Sequence, residues 1–119
     1  MTQNLKRYDV VLVDFGNNVI DSEQGGIRPA IIIQNNTGNY YSPTTIVMPL
    51  STKTNKNPNQ PTHTLITKGR DKGLVKDSMV LGEAMRQISE RRIIKLLGSI
   101  SNKTEQKEIR RVYDANFGE

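Results

Sequence analysis

The chain has 119 residues, with 17 Lys or Arg against 12 Asp or Glu, which gives a formal net charge of +5. This length fits one domain, residues 1–119, that buries roughly two thirds of its unfolded surface. The chain has no Cys, so we expect neither a disulfide nor a thiolate metal site. Its longest apolar run is four residues and its first residues are polar, so we expect neither a transmembrane helix nor a signal peptide. These features are those of a cytoplasmic bacterial protein.

Short apolar runs separated by Gly, Asn and Pro clusters predict a small all-β unit over the first 90 residues. The predicted strands cover residues 8–15, 27–34, 45–50, 62–67, 78–81 and 84–88. The second strand is apolar on both faces, which indicates a central or doubly covered position. Residues 35–39 predict a turn, Pro49 predicts an edge or a bulge in the third strand, and residues 52–61 predict a polar loop.

The C-terminal part of the chain has a helical pattern. Ser89 is a fair N-cap, and apolar residues between positions 93 and 97 repeat at helical spacing, which predicts a short helix that ends at Gly98. Asn102 followed by Glu105 resembles a capping pair and predicts a second helix. The apolar stripe of this second helix, interpreted as core, is formed by Ile109, Val112, Tyr113 and Phe117.

Residues 22–29 read Ser-Glu-Gln-Gly-Gly-Ile-Arg-Pro between two apolar runs. The adjacent Gly25 and Gly26 permit positive φ and close approach of a ligand. Arg28 adds a permanent cation with a fork of donors that suits a phosphate, and Pro29 suits the first residue of a strand. A hairpin loop with a solvent-facing Arg fits the same residues equally well.

The positive charge is concentrated in one segment. Residues 53–76 carry six basic residues against Asp71 alone, which equals the whole net charge of the chain. A field confined to one region steers a polyanion, and we therefore favour nucleic-acid binding over a merely solubilising role. The basic residues of this segment are Lys53, Lys56, Lys68, Arg70, Lys72 and Lys76.

Several motifs occur in a characteristic order along most of the chain. They are Tyr8-Asp9-Val10, residues 23–29, Ile33-Gln34-Asn35, residues 42–47, Pro61-Thr62-His63, residues 77–81 and Arg86-Gln87-Ile88. In this order the motifs resemble the MazF/PemK-like toxins, the sequence-specific endoribonucleases of bacterial toxin–antitoxin systems.

The resemblance implies a mainly β fold, a small SH3-like barrel of the MazF/CcdB type with a C-terminal helix; composition alone also allows an OB-like barrel. It implies a homodimer that cleaves single-stranded mRNA to 2′,3′-cyclic phosphate and 5′-hydroxyl ends and is bound by a MazE-like acidic antitoxin. No cofactor or metal is expected, because Gly25-Gly26 lacks the Lys-Ser/Thr of a phosphate-binding loop and no cluster has metal-ligand spacing.

RNA cleavage without a metal needs a base, an acid and positive donors for the phosphoryl charge. The single His63 excludes a two-histidine mechanism. The resemblance assigns catalysis to Arg28 and to a hydroxyl that aligns with Ser51, with an uncertainty of one residue toward Thr52. Because adjacent strand residues point to opposite faces, we expect only one of these hydroxyls to reach the site.

Further residues are expected to bind RNA or to support the site. They are Glu23, Gln24, Gly25, Gly26, Thr52, Lys53, Lys56, His63, Asp77, Ser78 and Arg86. Tyr40 and Tyr41 are candidates for stacking on unpaired bases.

Two other functions fit parts of this pattern. A gyrase-poisoning toxin of the same fold acts through a C-terminal segment that contains Trp, whereas this chain has no Trp and retains the Arg28 motif. A non-catalytic nucleic-acid-binding barrel needs only the basic loop. The retained motif favours the endoribonuclease.

Overall fold

The computed structural model describes residues 4–16, 25–55 and 57–118. The described residues form seven strands, two α-helices and two short 3-10 helices. The strands are β1 (Asp9–Asp14), β2 (Ile27–Ile32), β3 (Thr44–Ser51), β4 (His63–Ile66), β5 (Ser78–Leu81), β6 (Arg86–Ser89) and β7 (Ile93–Ser99). The α-helices are α1 (Asn36–Tyr41) and α2 (Lys103–Ala115), and the 3-10 helices are Gly82–Ala84 and Glu90–Arg92.

The strands join in one antiparallel sheet with the order β4-β5-β3-β2-β1-β7, and β6 pairs with β3. Strand β3 organises this sheet. One edge of β3 pairs with β2, while its other edge pairs first with β6 through residues 44–47 and then with β5 through residues 50–51. The change of partner brings the ends of β2, β3 and β5 together around one groove.

Pro49 was expected to lie on an edge strand or at a bulge. The edge is wrong, because β3 is paired on both sides, and Pro49 lies at the irregularity where β3 changes partner from β6 to β5. Pro49 is buried and faces Ala30 of β2, between Val47, which pairs with β6, and Leu50, which pairs with β5. Proline has no backbone N–H to donate. It fits this position because the pairing of β3 with β6 has ended and the pairing with β5 has not yet begun, so no hydrogen bond to either strand is needed there.

Both faces of the central strands are buried, as predicted for β2. Val10 and Ile31 contribute to a cluster that packs against α2, while Val11 and Ile32 contribute to a second cluster on the opposite face. Alternation along each strand sends successive side chains into the two clusters. Each fully buried aliphatic side chain stabilises the fold by roughly 1.5–3 kcal/mol.

The predicted turn at residues 35–39 is instead the start of helix α1. The side chain of Asn35 accepts a hydrogen bond from the Gly38 amide at 2.8 Å and caps the helix. Asn side chains favour local hydrogen bonds to the backbone, which is why the sequence predicted a turn. The same hydrogen bond at an N-cap position starts a helix.

The helix predicted after Ser89 is wrong. Ser89 does cap a helix, since its hydroxyl accepts from the Arg91 amide, but that helix is the 3-10 turn Glu90–Arg92. Strand β7 follows and pairs with β1, so long-range pairing overrides the helical spacing. Gly98 lies within β7 and does not end a helix; a Cβ there would collide with the carbonyl oxygen of Asp71.

The second predicted helix is confirmed. The Asn102 side chain accepts from the Glu105 amide at 3.0 Å, and α2 begins at the next residue. Ile109 and Val112 are buried against the sheet as expected. Phe117 lies beyond the helix and is 68% exposed, so it does not belong to the core.

No helix within residues 4–16, 25–55 and 57–118 is long and apolar enough to cross a membrane.

Candidate active site

An open groove of about 840 Å³ lies where the start of β2, the end of β3, the start of β4 and the turn after β5 meet. Six of the residues predicted for the site line this groove. They are Arg28, Ser51, Thr52, Lys53, His63 and Arg86. The chain path brings them together from four separate segments, residue 28, residues 51–53, residue 63 and residue 86, so their convergence is a property of the fold.

Arg28 is the second residue of β2 and is half-buried on the groove wall. Its Nε donates a hydrogen bond to the carbonyl of Gly25 at 3.1 Å, and its backbone pairs with Val13 of β1. Gly26 between them has φ +75°, as the glycine pair predicted. The guanidinium is therefore held from its Nε side, and Arg28 lines the groove. Glu23 and Gln24 lie outside the described residues.

Ser51 is the last residue of β3 and lines the groove. Ala30 faces Pro49 in the last pair of the β2–β3 register, two residues from Arg28 on β2 and two residues from Ser51 on β3, so both residues lie at this end of the strand pair and both line the groove. The Ser51 hydroxyl oxygen accepts from the Lys53 amide at 3.1 Å, which leaves the hydroxyl hydrogen to be donated.

Both Ser51 and Thr52 line the groove, contrary to the expectation that only one would reach it. Strand alternation stops applying because β3 ends at Ser51, and Thr52 already belongs to the following loop. The assignment of the catalytic hydroxyl to Ser51 stays a prediction.

Arg86 and Lys53 complete the positive lining. Arg86 begins β6, where it pairs with Val47, and its guanidinium lies 5.5 Å from the ring centroid of Phe15. A cation over an aromatic face is oriented without losing its charge. Lys53 is exposed in the loop after β3. Together with Arg28, these residues give the groove three cations, a lining that suits a phosphodiester backbone.

His63 begins β4, as predicted, and its ring is buried in the groove floor with 4% exposure. Its Nδ1 lies 2.9 Å from the carbonyl oxygen of Asn57, and its Nε2 lies 3.0 Å from Oε2 of Glu83. The other carboxylate oxygen of Glu83 accepts from the Thr62 hydroxyl at 3.2 Å, and Gln60 in turn donates to that hydroxyl at 2.8 Å. A connected polar network thus forms one wall of the groove.

Two predicted supporting residues lie away from the groove. Asp77 is exposed and accepts from the Lys68 amide at 2.8 Å, while Ser78 is buried and its hydroxyl donates to the carbonyl of Lys76 at 3.1 Å. Both contacts stabilise the segment between β4 and β5. Neither residue lines the groove, so their contacts in this structure are structural and lie outside the candidate site.

The basic segment is divided by the fold. Lys72 is buried; its ammonium donates to the Thr67 carbonyl at 2.9 Å and pairs with Glu105 of α2 at 2.9 Å. An RNA-binding role for Lys72 is therefore wrong, because its charge is already paired inside the protein. Lys68 and Arg70 are exposed but lie outside the groove, and Lys56 lies outside the described residues.

Tyr40 and Tyr41 are exposed on α1, with ring centroids 4.8 Å apart in an edge-to-face pair. They do not line the groove.

Sequence reasoning also missed three polar residues that do line the groove, Asn57, Gln60 and Glu83. No periodicity or motif marks these three, since each contributes through a loop or a single 3-10 turn. Among the described residues, no three His, Asp or Glu side chains group closely enough to hold a metal ion.

Comparison with known proteins places this geometry in one family. Residues 6–113 match the family model described as the PemK-like, MazF-like toxin of type II toxin–antitoxin systems. The chain is 44% identical over 114 residues to an endoribonuclease MazF of Staphylococcus saprophyticus. The aligned region covers 96% of this chain and 92% of that relative.

Solved structures share the fold at lower sequence identity. The crystal structure of MazF from Deinococcus radiodurans superimposes with a TM-score of 0.79 at 18% identity, covering 98% of this chain and 99% of that one. An endoribonuclease in complex with its cognate antitoxin from a mycobacterial species gives a TM-score of 0.74 at 18% identity, covering 96% and 95%.

The chain belongs to the PemK-like, MazF-like toxin family. The expected fold class, a mainly β domain of the MazF type with a C-terminal helix, is confirmed. The expected class of protein, an endoribonuclease toxin of a type II toxin–antitoxin system, is confirmed as well.

Proposed function

We propose that this groove is the site of metal-independent, sequence-specific cleavage of single-stranded mRNA. The ribose 2′-oxygen attacks the adjacent phosphorus and loses its proton, the bond to the 5′-oxygen breaks, and that oxygen takes up a proton. The products are a 2′,3′-cyclic phosphate and a 5′-hydroxyl. The observation that carries this proposal is that Arg28 and Ser51, on the adjacent strands β2 and β3, line one cationic groove.

Arg28 is assigned to the phosphoryl oxygens. Negative charge on these oxygens grows as the phosphorus becomes five-coordinate, and a pre-positioned guanidinium stabilises it most at that stage. Arginine keeps its proton near neutral pH, so we assign it charge stabilisation and not acid–base chemistry. The Nε hydrogen bond to Gly25 fixes the fork before the substrate arrives, which removes an ordering cost.

Ser51 is assigned to a position beside the scissile phosphate. Its oxygen is already held by the Lys53 amide, and its hydroxyl hydrogen is available to a phosphoryl or leaving oxygen. Lys53 and Arg86 bind the neighbouring phosphates by charge, which supplies affinity without reading sequence.

We also propose that the protein works in the cytoplasm as a homodimer inhibited by a small acidic, MazE-like antitoxin. The net charge of +5 per chain favours an acidic, partly disordered partner. The mycobacterial endoribonuclease and the Deinococcus radiodurans MazF of the same fold have been solved with their antitoxins. We expect the antitoxin to cover the Arg28 side of the groove and to compete with RNA.

The test is incubation of the purified protein with a long single-stranded RNA and with DNA of the same sequence, both in EDTA. Discrete RNA fragments with intact DNA support the proposal, because DNA lacks the attacking 2′-hydroxyl. Equal cleavage of the RNA and the DNA contradicts it.

The dimer is tested by light scattering at micromolar concentration, which should give about 27 kDa, twice the chain mass of 13.4 kDa. An active monomer refutes the dimer.

A further inference from the structure

Glu83 is the only acidic residue lining the groove within the part of the chain that the structure describes. It follows β5 in the 3-10 helix Gly82–Ala84, and its side chain is 46% exposed. A carboxylate in a groove built for RNA repels the phosphate backbone and lowers affinity. Its presence there calls for a role other than binding phosphates.

The structure holds this carboxylate at both oxygens. Oε2 lies 3.0 Å from Nε2 of His63, and Oε1 accepts from the hydroxyl of Thr62 at 3.2 Å. A carboxylate has about four lone-pair sites, so each oxygen keeps one site for another donor. Glu83 is therefore oriented in advance yet still able to accept hydrogen bonds at the groove.

The His63 ring is fixed in turn. Its Nδ1 lies 2.9 Å from the Asn57 carbonyl oxygen, and a carbonyl only accepts, so Nδ1 carries a hydrogen. Its Nε2 lies 3.0 Å from Oε2 of Glu83, so both ring nitrogens are directed at oxygen atoms of the groove wall. Arg111 donates to the backbone carbonyl of His63 at 3.1 Å. With 4% exposure, the ring has little freedom to leave this position.

We infer that Glu83 is a specificity-determining residue that accepts a hydrogen bond from the exocyclic amino group of an RNA base, with His63 as its positioning residue. The inference rests on the proposed function, since it requires single-stranded RNA in the groove. Adenine, cytosine and guanine each carry such an amino group, whereas uracil presents carbonyl oxygens there. A fixed carboxylate attracts the amino groups and repels those carbonyls, so it selects against uracil at one position.

The experiment compares the wild-type protein with Glu83→Gln, which keeps the side-chain length and replaces one acceptor oxygen by a donor NH₂. Cleavage of a randomised RNA pool is followed by sequencing of the cut sites. In parallel, binding is selected from a 2′-fluoro pool, which lacks the attacking hydroxyl and cannot be cleaved. Asp114→Asn is the matched control, because it removes the same charge from an exposed pair on α2.

We expect Glu83→Gln to lose discrimination against uracil at one position by about tenfold or more in both pools. Asp114→Asn should keep the wild-type preference. Thr62→Val and His63→Gln should relax the same position by smaller factors, and Thr62→Val keeps this arm informative if the buried His63 variant fails to fold. Uniform slowing of Glu83→Gln on every sequence would instead indicate a ribose contact and overturn the inference.

The two proposals fail differently. A wild-type protein that cuts no RNA but shows the Glu83-dependent base preference in binding overturns the endoribonuclease proposal and supports the role of Glu83. A protein that cuts RNA with identical preferences before and after Glu83→Gln supports the cleavage and overturns the role of Glu83.

Discussion

Replacing Arg28 by Ala is expected to remove most of the cleavage activity while leaving the fold intact. Losing one donor to a developing oxyanion lowers turnover by about 10²–10³-fold. Among the described residues, the variant loses the Nε hydrogen bond to Gly25, worth about 1 kcal/mol, while the backbone pairing of this position with Val13 does not depend on the side chain. A domain of this size tolerates such a loss, since typical unfolding free energies are about 5–15 kcal/mol.

The assay is single-turnover cleavage of a fluorescent RNA at saturating protein, with urea unfolding as the check on stability. Arg28→Lys keeps the charge but not the planar fork and should recover only part of the rate. Arg91→Ala removes an exposed cation outside the groove and should cleave at the wild-type rate. Full activity of folded Arg28→Ala would refute the assignment of the phosphoryl charge to Arg28.

Four further substitutions test other parts of the mechanism and the fold. Ser51→Ala should lower single-turnover cleavage well below that of Thr52→Ala, and the reverse order would move the catalytic hydroxyl to Thr52. Lys53→Gln should weaken RNA binding and reduce the slope of log affinity against log salt by about 1, without changing the cleaved sequence; an altered sequence in cut-site sequencing would show that Lys53 reads bases. Asp9→Asn tests the buried end of β1. Burial raises the pKa of Asp9 above its ordinary 3.8, although the hydrogen bond from the Lys6 amide and the charge of Lys6 act in the opposite direction. The charged carboxylate therefore destabilises the fold at pH 7, so Asp9→Asn should be more stable than the wild type in urea at pH 7 and should lose this advantage below pH 3.8, where Asp9 is neutral in both the folded and the unfolded chain. An equal difference in stability at both pH values contradicts this.

Local patterns predicted the elements whose stabilising contacts are near in sequence. Helix α2 was predicted because Asn102 caps it directly, and β2 because its apolar residues occupy both faces. Strand β7 was missed because it is defined by pairing with β1, 80 to 90 residues earlier in the chain, while its own residues also fit a helix. Pairing across such a distance leaves no local mark on the sequence.

The candidate site divides in the same way. Arg28 was a candidate because glycine, arginine and proline together indicate a loop that opens a strand and because this motif resembles that of the MazF/PemK-like toxins, and the structure places Arg28 on the groove. Glu83 was not found, because it follows β5 and reaches the groove only through the change of partner in β3 that pairs β5 with the end of β3. Lys72 was misassigned to the RNA surface because its partner Glu105 lies on a helix 33 residues away, and charge counting cannot see that pair.

The most direct test of the central claim is the chemistry of the cut ends in EDTA. An RNA cleaved by the wild-type protein and a copy with a single 2′-deoxyribose before the cut are compared by mass spectrometry. We predict a 2′,3′-cyclic phosphate and a 5′-hydroxyl on the products of the first RNA, and no cleavage at that site in the second. A 5′-phosphate product, or equal cleavage of the 2′-deoxy copy, would contradict attack by the ribose hydroxyl and the roles assigned to Arg28 and Ser51.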